Sequence, residues 1–278
     1  MSLFTDFIQY PFLTQALLCS LLLAVLCGVL SPLVVAKKFA FMGASISHGA
    51  LLGVATGLVL FKDNTVMDHI LLFFITLIIT LIAVSPLAWS TFRQRLPSDA
   101  LIGLFFTATM GGGLMIHQMS GTGKGDLLGY LFGNILTLGT FDIFLLFTLV
   151  IFVTVTIFSK KQIWMLFLFD EEAAAIQGIK TKVYHFLFFL MLTLVIVGGL
   201  KISGVILINS YLLIPGIFAL KWAPNASQTF TYSIVFALKS TLLGLFIANA
   251  FDMPVGATLA VTQVTLYFSS FLYKKVPA

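Results

Sequence analysis

His48 is the side chain whose setting most invites chemistry. It stands about seven residues into the uncharged run 41–61, so a helix there carries it ~10 Å beyond the basic pair Lys37 and Lys38. Ser45 shares its helix face three residues earlier, with Ser47 to one side. Gly49, Gly53 and Gly57 form a small-residue stripe at spacing four, which lets a second helix approach closely. An imidazole is a good ligand for zinc and related ions. Ionisable groups at membrane depth usually face a bundle interior or a water-filled path. Two readings fit these residues alone. His48 either touches a translocation path or is hydrogen-bonded between packed helices.

Other candidates are sparser. His69 and His117 fall near the outer ends of their apolar runs, where a metal entering from outside could meet them, and His185 lies beside the inner interface as a structural residue. Lys201-Ile-Ser-Gly204, Asn209, Ser210, Tyr211 and Pro215 bring polar groups and a helix breaker together, which suits a moving or pore-lining element. Asn249, Asp252, Pro254 and Gly256 read as a tight turn between apolar runs. Cys19 and Cys27 share one run and cannot staple distant parts of a fold. Enzyme motifs such as H-E-x-x-H and G-x-S-x-G are missing from the sequence. Gly121-Thr-Gly-Lys-Gly125 lacks the spacing and hydroxyl of a phosphate loop, because Gln118 and Gly125 occupy the positions that matter.

The elements that position these residues are set by composition. Charged residues make up 9% of the 278 and apolar residues 60%. A soluble fold cannot cover its surface with so few charges, since roughly 25% is usual. The net charge of +5 is scattered in ones and twos, with no basic block for nucleic acid. The chain is therefore an all-α polytopic membrane bundle, read as one domain over 1–278. Runs near 12–36, 41–61, 70–91, 100–116, 143–158, 183–200, 202–220, 227–250 and 253–273, uncharged apart from Lys239 in the eighth, approach the ~20 residues of a spanning helix. That gives about nine spans, with eight to ten compatible. The glycine-broken stretch 126–140 suits a re-entrant or interfacial helix.

Charge sets an orientation. With the N-terminus outside, Lys37, Lys38, Arg93, Arg95, Lys160, Lys161, Lys180, Lys182, Lys221, Lys274 and Lys275 all fall inside. Lys62, Lys124 and Lys201 fall outside, and Lys239 sits within a span. The C-terminus is then cytoplasmic. The longest cytoplasmic loop, 159–182, contains its own short helix. Asp170 is its N-cap, Glu171 and Glu172 complement its dipole, and Gly178 suits the C′ position. Two or three turns are marginal alone in water, so this helix docks on something. A protein partner is favoured over anionic lipid, which acidic residues would repel.

These residues occur in an order that resembles the membrane permease of bacterial ABC importers for zinc, manganese and iron. Leu33-Val-Val-Ala-Lys-Lys-Phe-Ala-Phe-Met-Gly43 with Ser47-His48 is similar to the family's first cytoplasmic turn and second helix. Asp99-Ala-Leu-Ile-Gly103, Tyr130-Leu-Phe-Gly133, Phe169-Asp170 through Gly178, the run Lys201 to Pro215, and Asp252-x-Pro254-x-Gly256 come next in register. The resemblance implies a bacterial inner-membrane subunit that forms a homodimer among lipid. A dimer of cytoplasmic ATPases would hydrolyse ATP on separate chains, so this chain is not itself an enzyme and binds no cofactor. An extracytoplasmic protein would deliver the metal. Asp170, Glu171, Glu172, Ala174, Gln177 and Gly178 would couple to the ATPase.

Two departures bear on the cargo. The family usually has Asp four residues before the histidine and Asp after the Phe-Gly of its middle segment. Here these positions are Ala44 and Asn134. His48, Ser45 and Asn134 remain as the expected metal path, and an imidazole-rich, carboxylate-poor path suits zinc better than manganese. A stand-alone secondary carrier, and the same permease carrying manganese or iron, are the alternatives. An intramembrane enzyme would need several convergent ligands, and one deep histidine is too few.

Overall fold

The computed structural model describes residues 11–60, 66–93, 98–120, 129–131, 133 and 138–273. Ten helices are assigned among them: α1 Pro11–Ala36, α2 Ala40–Leu60, α3 Val66–Arg93, α4 Ser98–Ser120, α5 Thr140–Phe158, α6 Lys161–Phe169, α7 Glu171–Ile176, α8 Thr181–Trp222, α9 Ala226–Ala250 and α10 Val255–Tyr273. No strand occurs among the described residues. Seven of these helices are long and apolar enough to cross a membrane, and Val255–Phe271 is a shorter apolar helix. The all-α polytopic expectation holds. Apolar side chains stay exposed in stripes, such as Phe144, Phe147, Ile151 and Val155 on α5 and Phe74, Ile78 and Ile82 on α3. Faces like these are at home in hydrocarbon, where a helix satisfies its own backbone.

The sequence punctuates the helices locally. α1 ends in a Schellman turn. Lys38 takes the left-handed C′ position at φ 59, Phe39 N–H donates to Val34 O and Lys38 N–H to Val35 O. Phe39 then packs beside His185, Phe188 and Phe189. α5 starts where Gly139 N–H donates to the Asp142 carboxylate at 2.8 Å. Asn225 caps α9 by accepting from Gln228 N–H. Between α9 and α10, Asp252 adopts φ 49 and Met253 N–H donates to Ala248 O, so the expected tight turn is present.

α8 contains both of the apolar runs expected near 183–200 and 202–220, joined without a loop. It is one assigned helix of 42 residues, about 63 Å if straight, or twice a ~30 Å hydrocarbon core. It is not straight. Gly204 sits at φ 67, ψ 171, a conformation essentially confined to glycine. Gly199 abuts Leu23 of α1, and Gly216 abuts Ser31 of α1. A straight helix would hold those glycines ~25 Å apart, whereas their two α1 partners are only ~12 Å apart. A chain that climbs to Gly204 and returns accounts for the difference. Ile208 lying against Gly199 agrees with this reversal. The residues after Gly204 run antiparallel to α9, through Tyr211 with Thr241 and Phe218 stacked on Phe236.

The core forms where α1 and both arms of α8 meet. Leu23, Leu26, Leu30 and Leu33 are wholly buried there, with Phe188 and Tyr211. α2 lies against this centre and carries α4 on its far side, while α3 packs on both α2 and the first arm of α8. Gly53 of α2 is so close to Thr76 of α3 that an added Cβ would stand 2.7 Å from the Thr76 carbonyl oxygen. The glycine stripe therefore does permit close helix packing.

Among the described residues, Lys37, Arg93, Lys161 and Lys182 lie toward one end of the bundle. Arg93 and Lys182 both stand over Trp89, Lys161 donates to Ser227 O and Oγ, and Lys37 meets Glu171. The opposite end holds the α8 reversal, against which Gly133 packs, and the ion pair Lys201–Asp142.

Candidate functional site

α2 carries two of the three expected path residues, Ser45 and His48, and turns both toward α4. Ser45 is buried and its hydroxyl donates to Ile102 O of α4 at 3.2 Å. His48 is half-buried on the same side of α2, its ring edge-on to Phe106 of α4 at 4.5 Å between centroids. Ser47 points elsewhere. Its hydroxyl donates to Gly43 O at 2.8 Å and to Asn209 Oδ1 of α8 at 3.1 Å. His48 Nδ1 is buried and has no hydrogen-bond partner among the described residues. Among the described residues the ring is held by its edge-on contact with Phe106 and not by a hydrogen bond. Ser45 differs from the expectation in that its hydroxyl proton already has a backbone acceptor. Asn134 lies outside the described residues.

No group of three or more His, Cys, Asp or Glu converges among the described residues. Ala44 supplies no carboxylate one turn before His48. An imidazole with a free nitrogen can bind a soft or borderline cation briefly, and without further charged ligands it will not hold one tightly. Brief contact suits passage better than storage.

The polar residues after Lys201 serve as interhelical glue. Asn209 accepts from Ser47, Ser210 donates to Gln263 Oε1 of α10 at 3.0 Å, and Tyr211 shares a hydrogen bond with Thr241 of α9. Each would be unfavourable in hydrocarbon without its partner. His185, as expected, is structural: it is buried, with Nε2 beside Ala88 O at 3.0 Å and Thr91 Oγ1 at 3.2 Å.

The short acidic helix forms as its punctuation predicts. The Asp170 carboxylate accepts from Ala173 N–H at 2.8 Å. Gly178 takes C′ at φ 79, with Ile179 N–H donating to Ala174 O and Gly178 N–H to Ala175 O. Ala174 is fully buried and holds α7 down, while Glu172, Ile176 and Gln177 are exposed. Glu171 bonds Lys37 at 2.6 Å.

Sequence reasoning misses Asp142 and Lys37. Asp142 is 8% exposed and pairs with Lys201 Nζ at 2.9 Å. Its signal is an acid three residues after Gly139, at the first turn of an apolar helix. In the sequence Lys37 marks topology alone, and only the tertiary contact with Glu171 shows more.

Seven helices long and apolar enough to cross a membrane, tied by interhelical polar bonds, define a multi-pass membrane protein. The chain belongs to the ABC 3 transport family, whose model matches residues 9–274. It is 29% identical over 272 residues to the manganese transport system membrane protein MntC of Halalkalibacterium halodurans, covering 97% of this chain and 90% of that protein. It is 27% identical over 267 residues to the high-affinity zinc uptake system membrane protein ZnuB of Haemophilus influenzae, covering 96% and 99%. Its fold matches PsaBC from Streptococcus pneumoniae in complex with Fab at a TM-score of 0.83 and 26% identity, over 99% of this chain and 95% of that one.

Proposed function

We propose that this chain is the inner-membrane permease of an ATP-driven importer of divalent transition metal ions, with zinc as its preferred cargo. The observation that carries the choice of ion is His48. Its Nδ1 is buried without a hydrogen-bond partner among the described residues and the position one turn earlier is Ala44, so His48 brings an imidazole without a carboxylate beside it. Manganese favours oxygen ligands, and zinc binds imidazole well. Relatives named for manganese and for zinc fit the wider class.

Two copies of the chain form the path, a cytoplasmic ATPase pair docks on α7, and an extracytoplasmic metal-binding protein delivers the ion. Lys239 supports a protein-facing surface on α9. It is exposed near the middle of that helix, where a charge against lipid is costly. The chain makes nine crossings in this reading, which the two arms of α8 counted separately support, and the charge distribution supports an N-terminus outside and a C-terminus inside.

Uptake of zinc, manganese and iron by a strain lacking the gene, with and without the gene restored, tests the proposal. Restoration of zinc uptake ahead of the other two is expected. Restoration of manganese alone would overturn the preference for zinc, and restoration of none would overturn the transport reading.

A further inference from the structure

We infer that Lys37 is a positioning residue that links the ATPase-docking helix to the helix bearing His48. This inference rests on the import function proposed above. Lys37 closes α1, where a cation complements the negative end of the helix dipole. Its side chain is only 12% exposed, although lysine ordinarily extends into water. Two contacts hold it. Nζ lies 2.6 Å from Glu171 Oε2 in the first turn of α7, and 3.8 Å from the centroid of Phe167 in α6.

The link from Lys37 to α2 is short and stiff. Lys38 and Phe39 form the Schellman turn, Phe39 is wedged among aromatic rings, and α2 begins at Ala40. Motion of α7 therefore reaches α2 through one ion pair and two locked residues. His48 sits ~12 Å along that helix. A partly exposed pair of this kind adds little to stability. Its worth lies in geometry, because Glu171 is both the neighbour of the Asp170 cap and the partner of Lys37. A push on the capped helix from the cytoplasmic side displaces the turn rather than slipping past it.

The test uses the complete transporter, permease with ATPase, in lipid vesicles with the metal-delivering protein outside. Lys37→Met keeps the length and apolar stem of the side chain and removes the charge. Metal uptake should fall about tenfold, within the roughly 5–150-fold range of typical intersite coupling. The ATPase should co-purify at wild-type stoichiometry and its unstimulated hydrolysis should be unchanged, while stimulation by the loaded delivery protein is lost. Exchanging the charges, Lys37→Glu with Glu171→Lys, should recover most of the uptake that Lys37→Glu alone abolishes. Wild-type uptake by Lys37→Met would overturn the inference. So would loss of ATPase binding in parallel with uptake, or a charge exchange no better than the single change. If the unaltered permease shows no ATP-dependent uptake, the proposed function fails instead, and the two failures are distinguishable.

Discussion

At the scale of single residues, His48 and Lys38 make opposite demands. His48 offers Nδ1 to nothing in the described fold, and Ala44 stands where a carboxylate would share its helix face. His48→Gln preserves size and polarity while removing the imidazole. It should lower zinc uptake at least ~10–100-fold, the range typical even for outer-shell partners of a metal ligand, with thermal unfolding of the detergent-solubilised protein unchanged. Ala44→Asp should tighten zinc binding and slow its release. If neither substitution alters uptake, the ion passes elsewhere. Lys38 carries strain instead. It is exposed at φ 59, where a side chain clashes with its own backbone. Lys38→Gly should therefore stabilise the folded chain by about 1 kcal/mol in a denaturation assay, and an unchanged midpoint would show the strain to be relieved already. His48 was legible from the sequence because an ionisable residue within an apolar run stands out. Its lack of a partner was not, because that depends on which residues of α4 face it.

At the scale of elements, α7 and the α8 reversal are the parts most open to test. The Asp170 cap and Gly178 terminus were readable because capping needs only neighbours in the chain. Burial of Ala174 was not readable, and it decides where a probe can go. A cysteine at Ala174 would unseat the helix, whereas Gln177→Cys lies on the exposed side and should crosslink to a co-expressed ATPase. Labelling of that cysteine by an impermeant reagent from outside would refute the placement. In α8, the break at Lys201 between two apolar runs announced two crossings, yet a join at Gly204 without any loop was not readable. Tertiary packing on α1 decides it. Gly204→Ala places a Cβ at φ 67, ψ 171 and should cost about 1–3 kcal/mol of stability, read as a lower unfolding midpoint. An unaffected midpoint would mean that the turn tolerates another backbone.

At the scale of the whole molecule, the helices alternate in direction and Lys37, Arg93, Lys161 and Lys182 lie toward one end. A reporter fused after Lys275 should therefore read as cytoplasmic and one inserted at Asp63 as exterior; a cytoplasmic signal at position 63 would invert the scheme. The α8 reversal also bears on how the chain is made. Its two arms are joined through one glycine, with no hydrophilic loop between them to hand across the bilayer. A first arm inserted alone would find Asp142 and Gly133, both made earlier, but would lack Ile208 of the second arm against Gly199. Biogenesis then favours delaying release from the insertion machinery until both arms have emerged from the ribosome. Lys201 would cross only in the company of the Asp142 that neutralises it, so the order in which α5 and α8 are synthesised is the order in which the charge becomes tolerable.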